Sequence, residues 1–268
     1  MQIPPSPVLS SIVRHYLILS SDVCTNPDFR FFSDGSPGIV FHRKTPFSQK
    51  NKLNGNFSAQ PKCFVYGQIT QFNTLSTTAE TDMLIVVLQP FALFKLFNIA
   101  AFEVNDKTIS FDELTGQSGR LLLEKIQEQP ENIVAINLIE DFLLNLRIQK
   151  THYDKIIFTS LQHIYAKKGM SSLTQMLKEV PATERQLERK FREHIGLSPK
   201  KFADIVRFRH LLKCLKQANQ HTNISAIGYS CGYYDQSHLN NIFKKFTGLT
   251  PLQYQNNGNL LAVNFLLL

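Results

Sequence analysis

Two clusters of side chains in the last third of the chain have groups that can read base edges in duplex DNA. In the first cluster, Arg185 and Arg189 are four residues apart, and each guanidinium can donate two hydrogen bonds to guanine O6 and N7. The second cluster offers amide, hydroxyl and imidazole groups that suit adenine or phosphate. The base-reading candidates are Arg185, Gln186, Arg189, Gln236, Ser237, His238 and Asn241. The basic residues expected to contact the phosphate backbone instead are Lys190, Arg192, Lys200, Lys201, Lys244 and Lys245.

The two clusters occupy equivalent places in an internal repeat. With a shift of 52 residues, the segment 191–202 (FREHIGLSPKKF) aligns with 243–254 (FKKFTGLTPLQY). The Phe, Gly, Leu and Pro positions are identical, and Leu187 upstream falls on Leu239. An internal repeat is the strongest organisational signal that a single sequence offers.

Each repeated position has a physical role in starting or ending a helix. Thr183 and Asp235 are of the types that cap a helix N-terminus, and Thr183 with Gln186 forms the pattern of a capping box. The glycines are placed to end each helix in the left-handed conformation, and a Ser-Pro or Thr-Pro pair then starts the next helix. These residues are Gly196, Ser198 and Pro199 in the first copy, and Gly248, Thr250 and Pro251 in the second.

This arrangement predicts two helix-turn-helix units, at about 171–195 and about 222–247. Their short first helices are expected at 171–180 and 222–230, with the turns at 180–182 and 231–234. The apolar periodicity of Pro199–Gln217 predicts one connecting helix of about 28 Å, close to the ~34 Å between successive major-groove faces. The alternative is a pair of helical hairpins that bind nothing, and the repetition within a basic segment argues against it.

The repeated motifs resemble the AraC/XylS family of bacterial transcription regulators. The resemblance lies in 232–238 (GYYDQSH), 243–251 (FKKFTGLTP), 185–191 (RQLERKF) and 196–199 (GLSP), and it covers about residues 160–256. It implies a cytoplasmic DNA-binding regulator that contacts RNA polymerase if it is an activator. Two residues depart from the family pattern: Leu177 replaces a small residue, and Pro181 replaces Gly or a similar residue in the first turn. In the second unit Gly228 fills the small-residue position.

The charge distribution divides the chain. Residues 1–150 carry 13 basic and 14 acidic residues, a balance of −1, whereas residues 151–268 carry 16 and 7, a balance of +9. A neutral front and a basic back are expected if only the back meets a polyanion. We therefore predict an α+β protein, with a β-rich sensor or oligomerisation domain at 1–150 followed by an all-α DNA-binding domain at 151–268. The boundary is expected near 147–153.

The first 110 residues predict short strands, including 13–19, 38–42, 64–69 and 83–88, and a short core helix is expected after Pro90. Helical periodicity follows at 119–127 and 132–148. Because this half resembles the sensor-type domains that precede the family's DNA-binding module, we expect it to sense a small molecule or to form a homodimer. The resemblance transfers no effector-binding residues. The apolar tail at 260–268 is expected to return as a strand or to contact a partner.

Other functions have weak support in the sequence. The main alternative is a DNA-repair methyltransferase, but Cys24 and Cys63 lack the neighbours that activate a thiol, and no Cys/His spacing indicates zinc. His15 and His42, the two histidines of the β-rich part, are expected to lie at the surface or to be hydrogen-bonded rather than to bind metal. No hydrolase or phosphate-loop motif is present, so we predict no enzymatic activity and no cofactor. The N-terminus lacks the pattern of a signal peptide.

Overall fold

The computed structural model describes residues 1–21, 28–51, 55–77, 79–146, 154–218, 223–256, 260–262 and 265–267. We call residues 1–146 the N-terminal half and residues 154–267 the C-terminal half. The predicted boundary at 147–153 lies outside the described residues, so the division into two domains stays a prediction. Within the described part of the chain, no helix is both long and apolar enough to cross a bilayer.

A six-stranded antiparallel sheet forms the centre of the N-terminal half. Its strands, in spatial order, are β1 (Gln2–Ile3), β2 (Val13–Ser21), β9 (Thr81–Leu88), β4 (Gly38–His42), β7 (Cys63–Tyr66) and β10 (Thr108–Ser110). Both faces of this sheet are buried. Leu84, Val86 and Leu88 of β9 face one core, and Met83, Ile85 and Val87 face another. Burial on both faces explains why the segment 83–88 is an unbroken apolar run.

Helices cover one face of this sheet, and a second sheet covers the other. The helices are α1 (Ala92–Phe97), α2 (Phe111–Thr115), α3 (Gln117–Gln127) and α4 (Asn132–Asn145); a 3₁₀ helix, Ala101–Val104, follows α1 in the chain. The second sheet contains β3 (Asp28–Phe31), β8 (Asn73–Ser76), β5 (Ser48–Lys50) and β6 (Phe57–Ala59). Phe29, Phe47 and Leu75 contribute to the core between the sheets.

The C-terminal half is helical except at its end. Its helices are α5 (Lys155–Ala166), α6 (Leu173–Met176), α7 (Glu184–His194), α8 (Pro199–Gln217), α9 (Ile224–Ser230), α10 (Gln236–Thr247) and α11 (Pro251–Asn256). Helix α8 has the bounds that its periodicity predicts. It forms the centre of the core, where Phe202, Phe208 and Leu211 are completely buried, and Lys213 and Lys216 lie on its exposed side.

The tail returns to the N-terminal half as a β-hairpin, which confirms the expectation of a returning strand. Strand β11 (Leu260–Ala262) pairs with β12 (Phe265–Leu267), and β12 pairs antiparallel with β3. The registers place Leu266 opposite Arg30. The end of the chain therefore belongs to the second sheet, so the α+β prediction holds but the C-terminal half is not all-α.

Phe32 inserts from the N-terminal half into the core of the C-terminal half. Its ring has no exposure to solvent and contacts the rings of Phe208 and Tyr254 at centroid distances of 6.3 and 6.5 Å. Gly35 follows with φ +81°, and a Cβ there would lie 3.2 Å from Phe202. The turn that carries Phe32 thus joins the two halves into a continuous structure.

Three sequence predictions in the N-terminal half need correction. The strand expected at 64–69 ends at Tyr66, before Gly67, where a Cβ would lie 2.4 Å from the Val104 carbonyl oxygen. The helix expected at 132–148 ends at Asn145. His42 is fully buried between the rings of Phe47 and Phe64 rather than at the surface; neither ring nitrogen makes a well-formed hydrogen bond to the described residues, and the Gln60 side chain only partly offsets the effect of burial on its pKa.

Burial determines the protonation state of both histidines in the β-rich part. Desolvation lowers the pKa of His15 and of His42 to about 4. Both imidazoles are therefore neutral near neutral pH.

Candidate nucleic-acid interface

The first helix-turn-helix unit consists of α6 and α7, and both helices begin with a complete capping box. Ser172 caps α6 and exchanges hydrogen bonds with Gln175, while Thr183 caps α7 and exchanges hydrogen bonds with Gln186. The predicted first helix at 171–180 is shorter than expected, because only Leu173–Met176 is helical. Residues 177–179 continue as turns before Pro181.

Helix α7 buries one stripe and exposes the predicted reading residues on the opposite face. Leu187 and Phe191 have no solvent exposure, and they anchor the helix in the core. Arg185 and Arg189 are exposed one turn apart. Gln186 is also exposed, but its side-chain oxygen already accepts from the Thr183 backbone N–H at 3.0 Å. The two arginines are therefore the side chains of α7 best placed to contact a base edge.

The second unit repeats this arrangement with different side chains. Asp235 caps α10 by accepting from the His238 backbone N–H at 2.7 Å, and Leu239 and Phe243 are buried. The outer face presents Gln236, Ser237 and Asn241 to solvent. Ser237 and Asn241 occupy the positions that Arg185 and Arg189 occupy in α7, since each pair differs by the repeat of 52.

His238 is less exposed than the other base-reading candidates of α10, because its ring packs within the second unit. Its half-buried ring stacks on Tyr234 at 6.1 Å and contacts Tyr233 at 5.6 Å. Tyr234 itself is 83% exposed beside the first turn of α10. Tyr234 was not among the predicted contacts, although the GYYDQSH motif places an aromatic residue just before the helix start.

Glycines permit the turns and the close packing that both units need. Gly196 and Gly248 follow α7 and α10 with φ of +91° and +70°, which confirms the predicted left-handed ends. Gly228 of α9 packs against Leu239, and a Cβ there would lie 2.9 Å from the leucine Cδ2. A small residue at 228 therefore allows α9 and α10 to approach closely.

The predicted backbone-binding residues fall into two groups. Lys200, Lys201, Lys244 and Lys245 are exposed at the helix flanks. Lys190 forms an ion pair with Asp154, the residue that caps α5, and the Arg192 guanidinium lies 4.4 Å above the Phe102 ring. Lys190 and Arg192 thus already have partners within the protein.

Three acidic groups of the C-terminal half have partners within the protein. Asp154 pairs with Lys190, Asp204 accepts from Arg207 at 2.8 Å, and Asp235 caps α10. Hydrogen bonding to Lys190 holds the pKa of the Asp154 carboxyl below its usual range against the opposing effect of burial.

The N-terminal half contacts the C-terminal end of α7. The Phe94 ring lies 4.2 Å from the His194 ring, and the Asn105 side-chain amide donates to the Gly196 carbonyl oxygen. Burial lowers the pKa of His194, so its imidazole tends to be neutral in this contact. Sequence reasoning missed this interface because no local pattern marks two surfaces that meet only in the folded chain.

A narrow cavity of about 50 Å³ lies between the two sheets of the N-terminal half. Its lining includes the apolar residues Val40, Phe64, Leu75 and Ile85 together with polar residues such as Asp106. Asp106 is adjacent to Asn105, which contacts the end of α7. The volume has room for a water molecule or a small group, so a larger ligand would need the sheets to separate.

The thiol predicted for the alternative methyltransferase function is not activated. Cys63 is 5% exposed in the core of the N-terminal half, and burial raises its pKa well above the ordinary range. An alkyl-accepting cysteine requires a thiolate. Cys24 lies outside the described residues.

Comparison with known families matches both halves of the chain. Residues 176–257 match a family described as a helix-turn-helix domain, and residues 1–110 match a domain of unknown function, DUF6597. The helix-turn-helix match includes α7, α8, α9 and α10, and these helices carry all the predicted base-reading residues.

Several curated transcription regulators are similar over part of the chain. An uncharacterised HTH-type transcriptional regulator of Haemophilus influenzae is 32% identical over 125 residues, which are 46% of this chain and 40% of that protein. The transcriptional activator RhaS of Escherichia fergusonii is 30% identical over 70 residues, 25% of this chain and 23% of RhaS. RhaR of Yersinia pseudotuberculosis is 33% identical over 72 residues, 27% and 24% of the two chains. The matched region thus spans less than half the length of these relatives.

One solved structure supports the overall architecture. ToxT from Vibrio cholerae superposes with a TM-score of 0.51 over 90% of this chain and 97% of its own, at 10% sequence identity. At this identity the likeness concerns the fold alone. It extends over both halves, including the β-rich part that precedes the helices.

Proposed function

We propose that this chain, whose residues 176–257 form a helix-turn-helix domain of the AraC type, is a sequence-specific DNA-binding transcription regulator. One observation carries the proposal most directly: two capped helices, α7 and α10, expose equivalent polar faces one repeat apart. Packing of the core does not require polar residues at the equivalent outer positions of the two helices. A second helix with an exposed polar face is the part of a helix-turn-helix that enters the major groove.

Helices α7 and α10 read adjacent major-groove segments of the same duplex. Arg185 and Arg189 contact guanine, while Ser237 and Asn241 contact adenine or phosphate. Helix α8 separates the two units, and its 19 residues give a length of about 28 Å. The exposed Lys200, Lys201, Lys244 and Lys245 bind phosphates and fix the register. One chain therefore covers two successive grooves.

The test is binding of the full chain to random-sequence and promoter duplexes at several salt concentrations. Each neutralised phosphate releases counterions, so affinity should fall steeply as salt rises. The Arg185→Ala/Arg189→Ala double variant should lose sequence preference, whereas Lys125→Ala, an exposed change on α3, should bind like the parent. A folded full chain whose DNA binding is absent or independent of salt would contradict the proposal.

The N-terminal half adjusts DNA binding in response to a small molecule. The cavity between the sheets, which is lined by both apolar and polar residues, suits a ligand that has an apolar body and a polar group. Its lining residue Asp106 follows Asn105, which donates to Gly196 at the end of α7. A ligand that separates the sheets would therefore move a contact of the first recognition helix.

Ligands for this cavity can be sought by thermal shift, and each positive compound can then be tested for its effect on DNA affinity. In Asn105→Ala, such a compound should still raise the melting temperature but should change DNA affinity less than in the parent. If its effect on DNA affinity is the same in both proteins, the link through Asn105 is wrong.

Self-association is the second role proposed for the N-terminal half. Helix α4 exposes Ile133, Val134 and Leu144, which are 56%, 36% and 47% exposed. Such residues suit a helix-to-helix dimer. Light scattering of the full chain should show dimers that Ile133→Glu weakens and that Val8→Glu, a change at an exposed residue elsewhere, leaves intact. Monomers at high concentration would contradict this role. Contact with RNA polymerase would follow if the protein is an activator.

A further inference from the structure

The fold brings two thiols and one imidazole together where α8 meets α9. His210 and Cys214 lie one turn apart on α8, and Cys231 caps the C-terminal end of α9. One candidate ligand atom from each residue lies within 4.8 Å of the other two. The Cys214 Sγ is 3.7 Å from the His210 Nε2. No local pattern in the sequence marks this cluster, because Cys214 and Cys231 are too far apart for a local metal-binding motif.

We propose that His210, Cys214 and Cys231 bind one Zn²⁺ ion, with the fourth coordination position left for water. Zinc prefers thiolate sulfur at about 2.3 Å and imidazole nitrogen at about 2.0–2.1 Å in a tetrahedral arrangement. Donor atoms in such a site are separated by roughly 3.5–3.8 Å, as these bond lengths require. Rotamer adjustments of about 1 Å or less would bring the three ligand atoms to those separations.

The charges of the site balance when zinc is bound. Two thiolates offset the charge of the ion, and a neutral imidazole adds none, so the buried site has no net charge. Burial raises the pKa of the Cys231 thiol, so the ion must displace a proton from this sulfur.

The proposed metal site is buried on one side and accessible to solvent on the other. Cys231 has no solvent exposure, whereas His210 and Cys214 are half-buried at the surface of α8. An ion can therefore enter from the side of α8. Lys168 is close enough to favour the Cys231 thiolate electrostatically, and its charge also acts on His210.

Zinc at this position would connect the linker helix to the turn that precedes α10. Gly232, directly after Cys231, has φ +81° and begins that turn. Coordination would thus fix the second helix-turn-helix unit against α8. This consequence for DNA binding rests on the proposed function, whereas the metal site itself does not.

Titration of the reduced full chain with Co²⁺ tests the site directly, because cobalt replaces zinc and absorbs when thiolates coordinate it. We expect thiolate-to-cobalt charge-transfer absorption that saturates at one ion per chain and disappears when Zn²⁺ is added. Cys214→Ser and His210→Gln, both at half-buried positions, should weaken metal affinity by at least the roughly 10–100-fold that follows loss of a hydrogen-bond partner of a metal ligand. Cys63→Ala, which removes a buried thiol in the N-terminal half, should leave the titration unchanged.

Thermal unfolding supplies a second measurement that does not depend on DNA. Zn²⁺ should raise the melting temperature of the parent and of Cys63→Ala, but not of Cys214→Ser or His210→Gln. No thiolate absorption, or absorption that both variants retain, would overturn the site. Metal binding without any change in DNA affinity would keep the site and reject only its regulatory consequence. If the protein binds metal but no DNA at all, the proposed function is wrong and the metal site is still supported.

Discussion

The two helix-turn-helix units share a framework but differ in what they present and in what holds them. Both have a capped second helix, a buried Leu/Phe stripe and a glycine in the left-handed conformation after the helix. At equivalent outer positions, however, α7 has Arg185 and Arg189, whereas α10 has Ser237 and Asn241. The repeat preserves the residues that fold each unit and varies the residues that would meet DNA.

The contacts with the N-terminal half differ as well. The C-terminal end of α7 contacts Phe94, Phe102 and Asn105, so the first unit is attached to the part of the protein proposed to sense a ligand. The end of α10 receives a hydrogen bond from Arg30 to the Thr247 carbonyl oxygen at 3.0 Å. The second unit also adjoins the His210, Cys214 and Cys231 cluster. Because Arg185 and Arg189 can each make a bidentate contact to guanine, we expect the first unit to supply most of the base selectivity.

The largest expected effect concerns the core beneath the second unit. Phe32→Ala removes a fully buried ring that contacts Phe208 and Tyr254, and it should lower the free energy of unfolding by about 3–5 kcal/mol. Urea unfolding measures this change. Phe57→Ala, at a ring that is 45% exposed, is the matched control and should have a much smaller effect. Equal losses in the two variants would mean that the halves do not share a core.

Arg189→Ala should have the next largest effect, on base selectivity. Loss of a bidentate contact to guanine should cost about 1–3 kcal/mol on the preferred site and relax preference at one base pair. Binding to a library of single-base variants measures both quantities. Arg189→Lys keeps the charge without the planar donor geometry, so it should retain the salt dependence and lose the selectivity. An Arg189→Ala profile as selective as the parent's would remove the reading role of this residue.

Asn241→Ala tests the equivalent position in α10. We expect a cost of about 1 kcal/mol, at the lower end of the range for a base contact, with selectivity lost at a different base pair from that of Arg189. The same single-base library measures it. If Asn241→Ala costs more than Arg189→Ala, the second unit is the principal reader and our ranking of the units is reversed.

The smallest effect separates two basic residues that occupy equivalent positions, Lys244 and Arg192. Lys244→Ala should weaken binding to all sequences alike and lower the salt slope by about one unit. Arg192→Ala should change the slope less, because its guanidinium already lies over Phe102. Affinities across a salt series provide the slopes, with Lys125→Ala as the control. Equal slopes for Lys244→Ala and Arg192→Ala would show that Arg192 leaves Phe102 to bind phosphate.

Local patterns in the sequence predicted the recognition helices and the connecting helix of the two helix-turn-helix units. The caps at Thr183 and Asp235 and the periodicity of Pro199–Gln217 depend on neighbouring residues, and the structure reproduces them. Insertion of Phe32 and the meeting of Cys214 with Cys231 depend on contacts between distant segments. Single-sequence patterns do not encode such contacts, so these features emerged only from the fold. The contacts of Lys190 with Asp154 and of Arg192 with Phe102 also join distant segments, so the sequence did not predict them.

Hydroxyl-radical footprinting of the full chain on a duplex selected from a random-sequence pool tests the central claim most directly. If both units read the same duplex, protection should appear over two segments whose centres are about 10–10.5 base pairs apart. Arg185→Ala/Arg189→Ala should remove protection from one segment, and Ser237→Ala/Asn241→Ala should weaken it at the other. A single protected segment that both double variants affect alike would contradict the account.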